Sequence, residues 1–202
     1  MRSIGHIILL ADHIGAHKLA SFLQLQAPTR KIVHVSMLLQ LDALPSDVLA
    51  EARLIAFKTG VVVPSRILRQ LGFGAYNFHP GPPEYPGWAP FAFAIYDQAA
   101  TFGATAHKMV RKVDAGPIIG IARFPLPPNI VGAELQKKTV EVMLQLFRRL
   151  APMLANDPNP LPILPLSWGK RVRTRADFNR MCELSADLDE EERNRRRRAF
   201  LL

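Results

Sequence analysis

Cys182 is the only cysteine in this chain of 202 residues. A lone thiol excludes an internal disulfide and any cysteine-cluster metal site. It falls in a helical pattern with Phe178 and Met181, which reads as a small hydrophobe set among apolar neighbours. Long apolar runs are also missing. Ile7-Ile8-Leu9-Leu10-Ala11 stops at Asp12 and His13, far short of a membrane span. Met1-Arg2-Ser3-Ile4 lacks the apolar region and cleavage site of a secretory leader, so the expectation is a cytoplasmic protein with no membrane partner. No Gly-x-Gly-x-x-Gly fingerprint follows the first apolar run, which removes the sequence basis for a dinucleotide site. No Gly-x-Ser-x-Gly elbow occurs, and Cys182 stands outside every motif, so acyl-enzyme chemistry is not expected. Asp12, His13 and His17 have no fourth ligand nearby, and no metal site is expected.

Acids are in the minority: 17 against 26 lysines and arginines, for a net charge of +9. That balance favours an anionic partner such as a phosphate or a polyglutamate. Much of the excess is in Arg193-Asn194-Arg195-Arg196-Arg197-Arg198, directly after Asp187, Asp189, Glu190, Glu191 and Glu192. Acids first and bases last suit the dipole of a solvated helix. No aromatic residues interleave with the arginines, which argues against nucleic acid. Nothing in the sequence specifies an oligomeric state.

The order of apolar and polar stretches predicts an α/β fold. Ile4 to Leu10, Lys31 to Met37 and Arg53 to Phe57 read as buried strands, with helices between them. Ser46 or Asp47 is expected to cap a short helix, and Ser65 another that runs to Leu71. Pro90 to Ala99 and Glu134 to Leu154 read as further helices. Gly103 to Val110 and Ile118 to Phe124 read as an antiparallel pair. A proline-rich linker, Asp157 to Pro165, leads to a basic piece through Arg175 and two capped helices, Thr174 to Leu184 and Asp189 to Phe200. The expected division is a catalytic domain over residues 1–155 and a linker with a small helical extension over 156–202.

Asn77-Phe78-His79-Pro80 carries the most chemistry. Residues two apart on a strand share a face, so Asn77 and His79 point the same way. Pro80-Gly81-Pro82-Pro83 ends the strand just after them. Both polar groups therefore lie at a carboxyl end, where open α/β sheets keep their sites. A lone acid, Asp114, sits in the turn of the later strand pair, which can present it over the end of the strand bearing His79. An amide can hold a carbonyl oxygen as it gains negative charge. An imidazole can handle a proton, and a carboxylate can orient that imidazole.

The run from Asn77 to Pro90, with Gly103-Ala104-Thr105-Ala106-His107 and Val113-Asp114-Ala115-Gly116-Pro117-Ile118-Ile119, resembles the folate-dependent formyltransferases. The second block is especially similar to that of the glycinamide ribonucleotide formyltransferases. The likeness spans roughly residues 53 to 150. It implies a Rossmann-like, mostly parallel sheet with flanking helices. It also implies 10-formyltetrahydrofolate as formyl donor, a small-molecule amine as acceptor, and catalytic roles for Asn77, His79 and Asp114. By the same resemblance, Val61, Val62, Val63, Val113, Gly116 and Pro117 would hold the folate. Pro80, Gly81, Tyr85 and His107 would meet the acceptor. The first loop departs from the family's Gly-Ser-Asn-like phosphate grip. That departure shifts the expected acceptor from a ribonucleotide toward an amino sugar nucleotide or an amino acid derivative. The Trp-Gly-Lys-Arg segment at 168–171 is similar to the small extension of some sugar formyltransferases. Lys170, Arg171 and Arg173 could meet an anionic acceptor or the folate tail. Tyr85 and Trp88 are placed either as a lid or as packing against the first helix. Two other functions fit the same residues: a formyltetrahydrofolate hydrolase, with water as acceptor, and an inactive folate- or RNA-binding module.

Overall fold

The computed structural model describes residues 3–201. Among them, six strands form one sheet in the order β2-β1-β3-β4-β5-β6. These are β1 (His6–Ala11), β2 (Lys31–Val35), β3 (Ala52–Phe57), β4 (Ala75–His79), β5 (Thr101–Lys108) and β6 (Ile118–Pro125). The first four are mutually parallel, and β5 and β6 are antiparallel. β3 is buried at every position, as expected of a strand covered on both faces.

Alternate residues of the strands feed two cores. Ile7, Leu9, Ile55, Phe57, Tyr76 and Phe78 pack with α1 (His13–Gln26) and α6 (Gly132–Asn156). Ile8, Leu10, Leu54, Ala56 and Ala75 face α2 (Leu38–Asp42), α3 (Ser46–Ala50) and α4 (Ser65–Gln70). A third core joins α5 (Pro90–Tyr96), α7 (Arg175–Cys182) and α8 (Glu190–Phe200) to the flank of α6. Asn77 and His79 share the parity of Ala75 and so lie on the second face. The turn after β5 and the proline-rich loop close over that face near the ends of β4 and β5, and a cavity is left beneath them.

Several local expectations need correction. Pro45 and Pro64 occupy the N-cap positions of α3 and α4, and neither helix has a side-chain cap bond. Ser46, Asp47 and Ser65 are therefore first-turn residues. A preceding proline suits the extended N-cap conformation and leaves the following serine inside the helix. Thr174 and Asp189 do cap α7 and α8, through Asp177 N–H and Glu192 N–H. α1 is broken near its start, where Gly15 has a φ of +88°. α8 is less solvated than its composition suggests. Arg195 stacks 4.1 Å from the Tyr96 ring and donates to the Tyr96 carbonyl, and the Tyr96 hydroxyl donates to Glu192.

Arg53 is fully buried at the amino end of β3. Its Nε–H donates to the Phe73 carbonyl, and its remaining donors reach Leu154, Asp157 and Asn159 carbonyls at 2.7–3.2 Å. The guanidinium thereby satisfies the carbonyls at the end of α6, where a cation also complements the helix dipole.

Candidate active site

Strand register assembles the site. Asn77 pairs with His107 across β4 and β5, and His79 pairs with Thr105. The Thr105 hydroxyl donates to the Gly81 carbonyl at 2.8 Å, which fixes the turn just after β4. Gly81 passes so near the imidazole that a Cβ there would lie 2.7 Å from His79 Nε2. Only glycine fits at that approach.

Asp114 bridges two histidines. Its Oδ2 lies 3.2 Å from His79 Nδ1, and its Oδ1 lies 3.2 Å from His107 Nε2. Oδ2 also accepts from the Gly87 N–H at 2.8 Å. Asp114 has a φ of +43°, a left-handed conformation that aspartate tolerates better than most residues and that is common at functional sites. All three side chains of this array are at most 5% exposed.

Burial works to raise the Asp114 pKa, but His79, His107 and the Gly87 N–H outweigh it and hold the carboxyl below its usual range. Burial pushes the His79 imidazole below its ordinary 6.5, against the opposing pull of Asp114 and the Tyr85 carbonyl. At neutral pH the pair therefore rests as carboxylate and neutral imidazole. Yet both ring nitrogens of His79 meet acceptors, Asp114 on one side and the Tyr85 carbonyl at 2.9 Å on the other. A neutral imidazole has one N–H, so one of those acceptors faces a lone pair. A second proton on His79 would find its partner already in place. Such a group can take a proton and pass it on, because the waiting acceptors receive the charged form while burial keeps it from persisting.

His107 donates from Nδ1 to the Lys108 carbonyl at 3.0 Å. Its Nε2 lies 3.2 Å from Asn77 Nδ2. An amide nitrogen carries two hydrogens, and Asn77 lines the cavity, so one of them can meet a ligand oxygen.

These groups open into a cavity of about 690 Å³, well within the range of small-molecule sites. Asn77, His79, Asp114, Pro80 and His107 line it. So do Val61, Val62, Val63 and Val113. Val63 is buried, whereas Val62 is 62% exposed at the rim. Gly81, Tyr85, Gly116 and Pro117 do not line the cavity. Tyr85 packs on Phe102 and lends its carbonyl to His79, while burial, with Asp97 nearby, pushes its phenol up to about 12. Gly116 presses on the Lys108 carbonyl, where a Cβ would lie 1.8 Å away. The Pro117 carbonyl accepts from Lys108 N–H. Trp88 lies on the cavity wall under the Arg175 guanidinium.

The extension contributes more than the sequence suggested. Arg173 and Arg175 line the cavity, whereas Arg171 turns to Asp177. Lys58, Arg111 and Lys112 add to the positive lining, and Asp114 is the one acid on it among the described residues. Trp168 stands edge-to-face with both histidines and donates from Nε1 to the Gly116 carbonyl at 2.8 Å. Nothing in the local sequence around Trp168 announces that contact.

No protein-family model matches the sequence. Solved structures share its architecture. A sugar N-formyltransferase from a Shewanella species is 16% identical over 96% of this chain and 86% of its own, with a TM-score of 0.80. An N-formyltransferase from Helicobacter canadensis, in complex with folinic acid and dTDP-3-aminofucose, is 14% identical over 98% and 81%, with a TM-score of 0.71. The formyltransferase PseJ from Anoxybacillus kamchatkensis, in complex with UDP-4,6-dideoxy-4-formamido-L-AltNAc and tetrahydrofolate, is 18% identical over 91% and 93%, with a TM-score of 0.69. The chain thus has the fold of the N-formyltransferases: a mostly parallel sheet flanked by helices, with a C-terminal helix.

Proposed function

We propose that this protein transfers the formyl group of 10-formyltetrahydrofolate to the amine of a small anionic acceptor, in the class of nucleotide-linked amino sugars. One observation carries the reading: Asn77, His79 and Asp114 converge at the carboxyl end of β4, at the wall of a ligand-sized cavity. The sugar and folate ligands of the structural neighbours support the choice of substrates. So does the excess of cations on the cavity wall.

The residues present fit a folate. Val61, Val63, Met109 and Val113 offer an apolar wall for a flat ring, and Lys58, Arg111 and Lys112 offer cations for a carboxylate tail. When bound, the folate supplies an activated formyl group. A side-chain N–H of Asn77 donates to the formyl oxygen as it gains charge, a contact commonly worth ~10²–10³ in rate. His79 takes the proton that the attacking amine must lose and returns it to the folate nitrogen as that nitrogen's bond to the formyl carbon breaks, so that neutral tetrahydrofolate leaves. Asp114 keeps the imidazole oriented and stabilises its charged form. Arg173 and Arg175 hold the acceptor's phosphates.

The test is direct. The protein is incubated with 10-formyltetrahydrofolate and a panel of dTDP- and UDP-linked amino sugars, and formylated product and tetrahydrofolate are both followed. Product from at least one amine, lost in His79→Ala, is expected. Tetrahydrofolate and formate released without any amine would make the protein a hydrolase instead. No turnover of any kind would overturn the reading.

A further inference from the structure

The proline-rich loop that serves the array is clamped from outside. The loop gives the Tyr85 carbonyl to His79 and the Gly87 N–H to Asp114. Its other side meets the C-terminal extension, backbone to backbone. Gly169 N–H donates to Pro83 at 2.8 Å, Arg173 N–H to Pro86 at 3.0 Å, and Trp88 N–H to Arg173 at 2.8 Å. A Cβ at Gly87 would lie 2.1 Å from the Arg173 carbonyl, and one at Gly169 would lie 2.8 Å from that of Glu84. Both contacts therefore demand glycine.

Trp168 reaches past this seam. Its ring centroid is 4.9 Å from that of His107 and 5.7 Å from that of His79, close to perpendicular to both. Its N–H holds the Gly116 carbonyl, two residues beyond Asp114. One side chain from the extension thus touches both imidazoles and the turn that carries the carboxylate.

We propose that Trp168 is a positioning residue for the His79–Asp114–His107 array, and that the extension forms part of the working site. The proposal rests on the formyl-transfer reading above. The indole brings no charge. It covers the rear of both imidazoles, excludes water there, and so strengthens each electrostatic contact inside. Its hydrogen bond fixes the turn that aims Asp114, and small misplacements of such groups cost rate steeply. The titratable groups acting on His79 are Asp114 from the turn and His107 from β5. The Tyr85 phenol stays neutral over the working range.

If the indole only packs the extension in place, Trp168→Ala lowers stability and leaves the chemistry of folded molecules unmoved. If it positions the array, kcat falls by about tenfold or more, and KM for both substrates changes little. The acid limb of kcat then moves up toward 6.5, because His79 loses cover from water. Trp168→Phe keeps a ring but no N–H. It restores the limb and leaves a smaller, few-fold loss in kcat.

A second measurement needs no acceptor. Trp88 and Trp168 are the two tryptophans, so Trp88→Phe leaves Trp168 as sole indole emitter. Its fluorescence is titrated from about pH 8 to about pH 5, where imidazoles change charge. A step that disappears when His79→Ala is added supports coupling to the array. A flat titration, or an unmoved acid limb in Trp168→Ala, overturns the proposal. Absence of formyl transfer in the wild type would instead remove the function reading, and the fluorescence step would still decide whether Trp168 senses the pair.

Discussion

Two buried polar clusters occupy opposite ends of the same sheet, and they are built in opposite ways. At the amino end, Arg53 is a permanent cation each of whose three nitrogens donates to a backbone carbonyl. At the carboxyl end, His79 places acceptors against both ring nitrogens, and Asp114 holds a left-handed backbone. That end opens to a cavity. The first arrangement is satisfied as it stands, and its work is to tie β3 to the end of α6. The second is completed only when a proton arrives. Stability and chemistry are thus separated along the strand axis, which allows each to be broken alone.

The largest separation should come from His79→Ala. Formyl transfer is expected to fall by ~10²–10⁴, the range for loss of a positioned acid–base group, while the denaturation midpoint falls only modestly. A variant that loses both together would mean that His79 is structural. Arg53→Met is expected to do the reverse. Carbonyls at the end of α6 lose their donors, at a cost of about 3–5 kcal/mol. Urea unfolding measures that loss, and the rate per folded molecule should hold. Falling activity at full occupancy of the fold would break the comparison.

A smaller effect concerns acid stability. His79 has its pKa lowered in the fold, so below its ordinary 6.5 the unfolded chain takes a proton that the native protein does not. Stability contributed by the neutral imidazole is therefore lost as pH falls from 6.5 toward the lowered folded value. Asp114 adds a second loss at lower pH, as its carboxylate is protonated. Unfolding free energy measured against pH should slope downward below 6.5 in wild type and more gently in His79→Ala. Identical slopes in the two proteins would show that His79 is not held neutral by burial.

Much of this was legible in the chain, for identifiable reasons. Period two placed Asn77 and His79 on one face, and proline after them fixed the strand end. The apolar run of β1 and the turn chemistry around Asp114 were local signals too. The clamp on the proline-rich loop was not legible, because it uses backbone groups of Gly87, Gly169 and Arg173 that every residue carries. Arg53 was hidden for a related reason. In Ala52-Arg53-Leu54 nothing distinguishes an arginine buried under a distant helix end from one at the surface. Trp168 falls in a segment similar to the small extension of some sugar formyltransferases, yet its partners, His79, His107 and Gly116, lie far back in the chain. Ser46 and Ser65 misled because capping rules favour serine, whereas the preceding prolines had already taken the cap positions.

The most direct test of the account is the pH dependence of formyl transfer in Asp114→Asn. Asparagine keeps the shape of the side chain and suits the same turn, so a purely structural Asp114 would be replaced without loss. If Asp114 stabilises the protonated imidazole, removing its charge lowers the His79 pKa further. The acid limb of the profile then moves to lower pH, and the plateau rate drops steeply, with folate affinity little changed. A variant with the wild-type rate and an unshifted limb would contradict the account.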